Sequence, residues 1–371
     1  MLLRHKLIAG APLLLAALAC RQRWSIDLKK LGAPGSSPRP ISEYINPELS
    51  IGIAASNEIL VSFVRPNTGA ALPKSKDGKI QARLVALLLN PETGTVARQQ
   101  EWAFEGTLTP KIARLPNGNF VLLLADSVQI LDAAFSPIRQ KSLGIDLAAN
   151  HQRYSLSVPA SGHYFAVSYH PAPHSPLDVK VFDADTLSIR EEWPNLDSRW
   201  PTPRLFQNRV ISGPGDAPLI KTLGGPWQPL DLSIPHAGAQ FLTADRFVAL
   251  FPNLKYPPQF EGGSHWCWSE IDGRTTLYKP MCYSDTDDPG LIETSADGAV
   301  IAARIWRMTA WDWGLDLDPS ERVIVYAEGS HRQLLKTSWR RVGIDFALSL
   351  DGSMVAVLWG QRLTVYRVPS H

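Results

Sequence analysis

The sequence carries almost no net charge and lacks the short motifs that identify common catalytic sites. Its 37 Lys and Arg nearly balance its 35 Asp and Glu, which excludes the basic surface that nucleic-acid binding requires. It contains no Gly-x-Ser-x-Gly, His-Glu-x-x-His or Cys-x-x-Cys motif, no phosphate-binding glycine loop and no dinucleotide fingerprint. These absences favour a non-enzymatic protein, and a Ser, His and Asp triad assembled from distant residues is the exception they leave open.

The apolar run at the N-terminus, residues 7–18, is too short to span a bilayer. It follows Arg4, His5 and Lys6 and ends in the small-x-small sequence Ala17-Leu18-Ala19. A charged start, an apolar middle and small residues at the end are typical of an export signal. We therefore expect residues 1–19 to be a signal peptide and the mature protein to be secreted or periplasmic. Loss of Arg4 and Lys6 leaves as many basic residues as acidic ones.

Cys20 follows the leader at the position where a lipoprotein is cleaved and acylated. The segment resembles a bacterial lipoprotein signal, with Ala17 and Leu18 departing from the usual residue order. The sequence leaves two alternatives open, namely attachment to the envelope through a lipid on Cys20 and plain secretion.

Cys267 and Cys282 flank the segment WCWSEIDGRTTLYKPMC, which has the pattern of two strands and a turn. A hairpin there places the two residues opposite each other, and an oxidising compartment favours a disulfide between them. The alternative is a pair of unpaired thiols in the core.

A phrase made of a tight turn and an apolar strand recurs at a spacing of roughly 40 to 58 residues, the period of a β-propeller. Clear copies are RLPNGNFVLLL from Arg114, TSADGAVIAARI from Thr294 and LSLDGSMVAVLW from Leu348. The turn carries Gly, Asn or Asp, which tolerate positive φ. Seven such phrases predict an all-β fold, a seven-bladed β-propeller of four-stranded antiparallel blades over residues 50–371.

The last unit ends at the chain terminus after only three strands, and an unpaired edge invites aggregation. Residues 21–30 alternate Trp24, Ile26 and Leu28 on one face. We therefore expect residues 20–49 to be an N-terminal segment whose strand joins the last blade and closes the ring.

Two copies of the phrase read Ser-x-Asp-Gly-x-x-apolar-Ala, at Ser295 to Ala302 and Ser349 to Ala356, with Val-Tyr or Val-Phe-Asp strands behind them. In this the chain resembles the WD-repeat-like and YVTN-type β-propellers of bacterial secreted proteins. The resemblance covers residues 50–371 and implies architecture rather than activity.

The long connections predicted between second and third strands, residues 65–81, 170–176, 252–265 and 306–321, all fall on one face of the disc. Loops on a rigid scaffold carry recognition, and exposed aromatic rings beside carboxylates suit a sugar or a peptide. We expect a binding surface there, formed by Trp266, Tyr256, Trp306, Trp311, Trp313, Asp312 and Asp316. The alternative is that the tryptophans only pin a long loop and that the aspartates are solvated.

No metal or cofactor is expected. The aspartates of residues 312–318 do not have the spacing of a calcium loop. His170 and His174 lie close together on a proline-rich loop, but they lack a Cys or carboxylate at ligand spacing.

These observations favour a monomeric propeller that binds a protein, peptide or glycan outside the cytoplasm. The alternative is a propeller hydrolase or lactonase with a site in the central channel. Such an enzyme needs convergent acids or histidines on the innermost strands, whereas the candidates there are mixed: Lys111, Tyr154, Gln240, Glu293 and Asp345.

Overall fold

A computed structural model gives the fold of the chain. The structure describes residues 22–33, 49–53, 58–66, 80–106, 110–144, 154–169, 175–196, 203–212, 218–230, 238–252, 266–272, 275–276, 281–282, 287–307, 320–328, 332–338, 340–341 and 344–370.

The described chain is built of β-strands, and one short 3₁₀-helix, Leu28–Leu31, follows the first strand. In chain order the first strands are β1 (Gln22–Asp27), β2 (Leu49–Ile53), β3 (Ile59–Pro66), β4 (Ile80–Leu89), β5 (Val96–Gly106), β6 (Lys111–Arg114), β7 (Phe120–Leu124), β8 (Ser127–Leu131), β9 (Pro137–Ser142), β10 (Tyr154–Ser157), β11 (Tyr164–Tyr169), β12 (Leu177–Asp183) and β13 (Ile189–Leu196). They are followed by β14 (Arg204–Phe206), β15 (Arg209–Ser212), β16 (Leu219–Thr222), β17 (Gln228–Pro229), β18 (Gly238–Phe241), β19 (Arg246–Pro252), β20 (Trp266–Asp272), β21 (Thr275–Thr276) and β22 (Met281–Cys282). The last are β23 (Asp287–Thr294), β24 (Val300–Arg307), β25 (Ser320–Ala327), β26 (Gln333–Lys336), β27 (Arg340–Arg341), β28 (Ile344–Leu348), β29 (Met354–Trp359) and β30 (Arg362–Arg367). Within this part of the chain, no helix has the length and apolar character needed to cross a membrane.

Neighbouring strands pair antiparallel in small sheets of the kind that form propeller blades. The sheets are β2–β5, β6–β9, β10–β13, β14–β17, β18–β22 and β23–β27, each from one continuous stretch of chain, and a last sheet in the order β1-β30-β29-β28. The fold class predicted from the sequence therefore needs correction. The chain completes six blades from consecutive strands, not seven, and the remaining sheet combines strands from the start and the end of the described chain.

The blades are four-stranded, and in the sheets β18–β22 and β23–β27 the outer position is divided between two short strands that pair with the same third strand. In the second of these, the N–H of Val323 donates to the hydroxyl of Thr337 at 2.9 Å, and the N–H of Thr337 donates to the carbonyl of Val323 at 2.9 Å. A side-chain oxygen thus replaces a backbone carbonyl in the ladder. The outer strand is split at this point into β26 and β27.

The N-terminal strand β1 pairs with β30, which is the ring closure that the alternation of Trp24, Ile26 and Leu28 predicts. In the register Ile26 lies opposite Leu363. Leu28 is fully buried, and Trp24 and Ile26 pack against the same apolar cluster. The sheet β1, β28–β30 is called the closing sheet below.

The core consists of apolar clusters between adjacent sheets. One cluster joins the closing sheet to the blade β2–β5 through residues such as Met354, Leu358, Phe63 and Leu87. A second joins β2–β5 to β6–β9, with Phe120 and Phe135 at 4.7 Å between ring centroids. Since each face of a blade is covered by its neighbour, the strands are apolar on both faces, as the sequence phrases indicate.

The two Ser-x-Asp-Gly turns have the same hydrogen-bond network. Ser295 donates to Asp297 at 2.6 Å and accepts from the N–H of Val300 at 2.9 Å, and Ser349 donates to Asp351 at 2.6 Å. Gly352 has φ of 68°, and a Cβ there would lie 2.7 Å from a methyl of Val300. The turn requires glycine both for its left-handed backbone and for its contact with the neighbouring blade.

Candidate functional site: the central channel and its two faces

The innermost strands β2, β6, β10, β14, β18, β23 and β28 surround a central cavity of about 400 Å³. Its lining includes Pro159, Ala160 and Leu350, which belong to the turns between first and second strands. The cavity therefore reaches the channel end on which these turns lie. The inner-strand residues named from the sequence are all on these strands: Lys111 on β6, Tyr154 on β10, Gln240 on β18, Glu293 on β23 and Asp345 on β28.

Of the two acids on the inner strands, Glu293 has the pKa that is raised further above its usual value. Burial raises its pKa to about 8, and the nearby charge of Asp345 acts in the same direction. The backbone N–H of Leu348, which donates to its Oε2 at 2.7 Å, and the guanidinium of Arg204 oppose the rise. Glu293 therefore holds its proton at neutral pH, and it is one of the residues that line the cavity.

Asp345 behaves in a similar way on the neighbouring inner strand. Burial raises its pKa to about 6, against the effect of the backbone N–H groups of Phe346 and Ile51, which donate to it, and of the charge of Arg304. Because Ile51 belongs to β2, the carboxyl of Asp345 joins β28 to the next inner strand.

Ile344, the first residue of β28, is held at both of its backbone polar groups. Its N–H donates to Oε2 of Glu321 at 2.8 Å, and its carbonyl accepts from Nη1 of Arg304 at 2.9 Å. Glu321 is 1% exposed, so that this bond forms away from water, where an unsatisfied backbone group is costly.

Glu293 and Asp345 each connect one inner strand to the next, whereas Arg304 and Glu321 connect β24 and β25 to the inner strand β28. Inner strands have a free edge toward the channel, and side-chain acceptors satisfy the N–H groups on that edge. Glu293 and Asp345 thus each have a backbone partner, and neither carboxyl is left free to act as a catalytic acid or base.

The basic residues of the channel differ in their surroundings. Burial lowers the pKa of Lys111 and that of Arg204, and for Arg204 the charge of Glu293 opposes the effect. Arg114 is paired with Glu58 at 3.0 Å and lies over the ring of Phe120. The cavity lining thus contains the protonated carboxyl of Glu293 and the guanidinium of Arg204, two groups that can bind a polar ligand atom.

Within the described residues, no group of three or more His, Cys, Asp and Glu is placed to hold a metal ion. His163, which is described, pairs with Asp185 at 3.2 Å on the surface. His170 and His174 lie outside the described residues.

The residues predicted for a binding surface are only partly covered by the structure. Trp306 lies on β24 in register with Asp288 and Glu321, and Trp266 lies on β20 in register with Pro252. The others, together with Cys20, lie outside the described residues: Tyr256, Trp311, Asp312, Trp313 and Asp316. Cys267 and Cys282 are directly opposed in the pairing of β20 with β22.

The predicted asymmetry of the connections agrees with the strand bounds. The long segments 67–79, 170–176, 253–265 and 308–319 each join a second strand to a third. The turns between first and second strands are short in every sheet, such as Gln207–Asn208 between β14 and β15. One face of the ring therefore carries most of the extra chain, and this face is called the long-loop face below.

Sequence reasoning missed Arg204, Arg304 and Glu321. Arg304 and Glu321 each interrupt a strand that is otherwise largely apolar, VIAARIWR and SERVIVYA. A charged residue in a buried strand indicates a specific partner, and this signal could have identified both.

Comparisons with known proteins give the fold alone. No protein-family model matches the chain, and no curated protein matches its sequence. A chain from a structure named "Crystal Structure of Mitotic Checkpoint Complex" is similar with a TM-score of 0.55 and 12% identity, covering 100% of this chain and 99% of that one. An oligogalacturonate lyase in complex with manganese has a TM-score of 0.47 at 10% identity, with 87% and 96% covered. The computationally designed Ika8 protein has a TM-score of 0.45 at 13% identity, with 80% and 95% covered.

The first of these similarities supports the WD-repeat-like part of the resemblance at the level of fold. No family model supports the YVTN-type or the bacterial secreted subtype. The chain is an all-β propeller with WD40-like fold neighbours.

Proposed function

We propose that this protein is an extracytoplasmic binding propeller that holds a protein, peptide or glycan against its long-loop face. The observation that carries the proposal is the distribution of connection lengths. Four of the connections between second and third strands are long, whereas the turns on the opposite face are short. A rigid ring with its variable chain on one side is the usual arrangement of a recognition surface.

The residues proposed to bind the partner are Tyr256, Trp266, Trp306, Trp311, Asp312, Trp313 and Asp316. Tryptophan supplies a large contact area at a small entropic cost, and the aspartates supply acceptors for hydroxyl or amide groups. Trp266 is the first residue of β20, and Trp306 is the last but one of β24. Both positions lie at the strand ends that meet the long-loop face, which supports their place in this set.

The channel gives less support to the alternative of a hydrolase or lactonase. An acid pair in catalysis needs one carboxyl free to meet the substrate. Glu293 and Asp345 each accept a backbone N–H from the neighbouring inner strand. We therefore assign them to the structure of the ring.

The proposed location rests on the leader of residues 1–19, with Cys20 as the candidate for lipid attachment. We propose that the mature protein acts as a monomer, tethered to the envelope if Cys20 is acylated. Intact mass measurement of the mature protein distinguishes an acylated from a free N-terminal residue.

The test of partner binding compares the two faces. The mature protein is immobilised, exposed to extract of its own envelope and to peptide and glycan arrays, and the retained molecules are identified. A Trp311→Ala, Trp313→Ala double variant alters the long-loop face. The matched control, Asn117→Ala with Asp185→Ala, removes an exposed hydrogen-bonded pair from the opposite face.

We expect a ligand that the wild type and the control retain and that the tryptophan variant loses. Equal retention by all three proteins contradicts the proposed face, as does loss by the control alone. Unfolding curves of each variant separate a loss of the ligand from a loss of the fold.

A further inference from the structure

A cleft lined by two arginines lies where the closing sheet meets the blade β23–β27. It has a volume of about 150 Å³, and its lining includes Arg340, Trp359, Arg362 and Tyr366. These four residues are called the arginine cleft. Trp359 and Arg362 bound the two-residue turn between β29 and β30, and β27 pairs with the start of β25. The cleft is therefore on the same side of the ring as the long connections.

The two arginines of the cleft are each held by a neighbouring side chain. The guanidinium of Arg340 lies over the ring of Trp359, 4.8 Å from its centroid. Nε of Arg362 donates to the hydroxyl of Ser25 at 2.9 Å, which fixes the direction of its side chain. Burial raises the pKa of Tyr366, and the charges of Arg340 and Arg362 both oppose the rise. The three residues line the same cleft.

No carboxylate lines the arginine cleft among the described residues. Asp27 and Glu321 lie opposite Arg362 and Arg340 in the strand pairings but do not line the cleft, so the described lining carries two guanidiniums and no carboxylate. Such a lining attracts a negatively charged group. Arginine presents planar pairs of N–H groups that match the oxygens of a carboxylate or a phosphate. Both arginines are exposed residues, so such a group reaches them from solvent.

A second, more open cavity of about 590 Å³ adjoins the cleft and shares Trp359 and Arg362 with it. It is lined by Lys29 and Lys30, and its one carboxylate, that of Asp27, accepts the N–H of Lys29 at 3.0 Å. The side chain of Gln361 also borders this cavity, and its amide nitrogen and oxygen are buried without a partner within the described chain. The second cavity thus adds positive charge and an unsatisfied amide next to the cleft.

We propose that the arginine cleft binds an oxyanion, a carboxylate or a phosphate group, on a ligand whose body lies in the adjoining cavity. Arg340 and Arg362 bind the oxygens, Tyr366 donates its hydroxyl, and the ring of Trp359 covers one side. The site does not depend on the long connections or on their partner. A failure of partner binding at the long-loop face leaves this inference intact, and the reverse also holds.

The test is calorimetric titration of the full mature protein with inorganic phosphate and with acetate, at constant ionic strength set by chloride. The variants are Arg340→Gln and Arg362→Gln. The matched control is Arg367→Gln, an exposed arginine at the other end of the same strand β30. Loss of one charge-assisted hydrogen bond weakens binding about tenfold or more.

We expect saturable binding of at least one anion by the wild type and by Arg367→Gln, with about tenfold weaker binding by Arg340→Gln and Arg362→Gln. Binding of phosphate alone or acetate alone identifies the kind of oxyanion. Because Arg362 also contacts Ser25 on β1, Arg340→Gln is the decisive variant if Arg362→Gln unfolds. Absence of binding by the folded wild type overturns the inference, and so does equal weakening by Arg367→Gln.

Discussion

Oε2 of Glu293 on β23 accepts a hydrogen bond from the backbone N–H of Leu348 on β28, at a distance of 2.7 Å. This bond joins the inner strands of two neighbouring sheets, one of which is the closing sheet. Because the carboxyl is buried, its protonation state is coupled to the stability of the ring at this junction.

We predict that Glu293 makes the protein less stable as the pH rises toward 8. The pKa of Glu293 is 4.5 in the unfolded chain and about 8 in the folded protein, so the folded state binds the proton more tightly. Its contribution to the free energy of unfolding is complete below pH 4.5 and is lost as the pH rises through 8. Glu293→Gln keeps an acceptor for Leu348 and removes the titration.

Urea unfolding of wild type and Glu293→Gln as a function of pH measures this effect. Asp345 titrates over a lower range, from 3.8 to about 6, so the difference above pH 6 belongs to Glu293. We expect the variant to gain stability relative to wild type between pH 6 and 8. Parallel curves for wild type and Glu293→Gln over that range contradict the prediction. Glu192→Gln, at an exposed carboxylate, serves as the control.

We predict that Gly94→Ala loosens the ring closure. Gly94 and Gly144 both have φ of 71°, so alanine meets the same backbone strain at each. A Cβ at position 94 would lie 2.7 Å from the ring of Trp24 on β1, whereas position 144 has no neighbour within 4 Å. The indole of Trp24 also donates to the carbonyl of Pro91 at 2.8 Å, and this bond limits how far the ring can move.

Thermal unfolding of the two alanine variants separates the contact from the backbone strain. We expect Gly94→Ala to lose about 1–3 kcal/mol more than Gly144→Ala, the usual cost of overpacking. Equal losses would mean that Trp24 moves aside freely and that β1 is not held at this point.

The parts of the fold that follow from local sequence were accessible without coordinates. The Ser-x-Asp-Gly turns at Gly298 and Gly352 and the alternation at Trp24 and Ile26 report on backbone strain and on a single apolar face, which are local properties. The pairing of β1 with β30 was predicted from this alternation together with the missing fourth strand of the last unit.

The rest depends on which strands become neighbours. The outer strand is split at Thr337 because its hydroxyl takes the place of a backbone carbonyl. The hydrogen bonds to the backbone of Ile344 need side chains from β24 and β25. Neither arrangement has a signal in the spacing of residues. The arginine cleft is also lined by Gln22, more than 300 positions from Tyr366 in the chain, so its full lining forms only once the ring is closed.

We predict that Lys221→Met is strongly destabilising. Nζ of Lys221 donates to Glu191 at 2.5 Å, and the side chains are 8% and 12% exposed. Nζ of Lys221 also lies 5.2 and 5.3 Å from the ring centroids of Trp193 and Trp227, which contact each other edge to face. Removing one partner of a buried pair costs about 3 kcal/mol, because the other charge stays buried.

The control for Lys221→Met is Arg83→Met. Arg83 pairs with Glu101 at 3.3 Å, but its side chain is 53% exposed, so its loss costs about 0–1 kcal/mol. Chemical denaturation of both variants gives the comparison. A loss at Lys221 no greater than that at Arg83 would show that the two tryptophans, and not the ion pair, hold this blade together.

We predict that Cys267 and Cys282 form a disulfide in an oxidising compartment. The two residues are directly opposed between β20 and β22, and opposed residues of an antiparallel pair lie about 4.5–5.5 Å apart between Cα atoms, within the range of a disulfide. Peptide mapping without reduction should find the two joined. A double Cys267→Ser, Cys282→Ser variant should then unfold at a lower temperature than the oxidised wild type and at the same temperature as the reduced one. Alkylation of both thiols in protein prepared under oxidising conditions without a reductant would refute the bond.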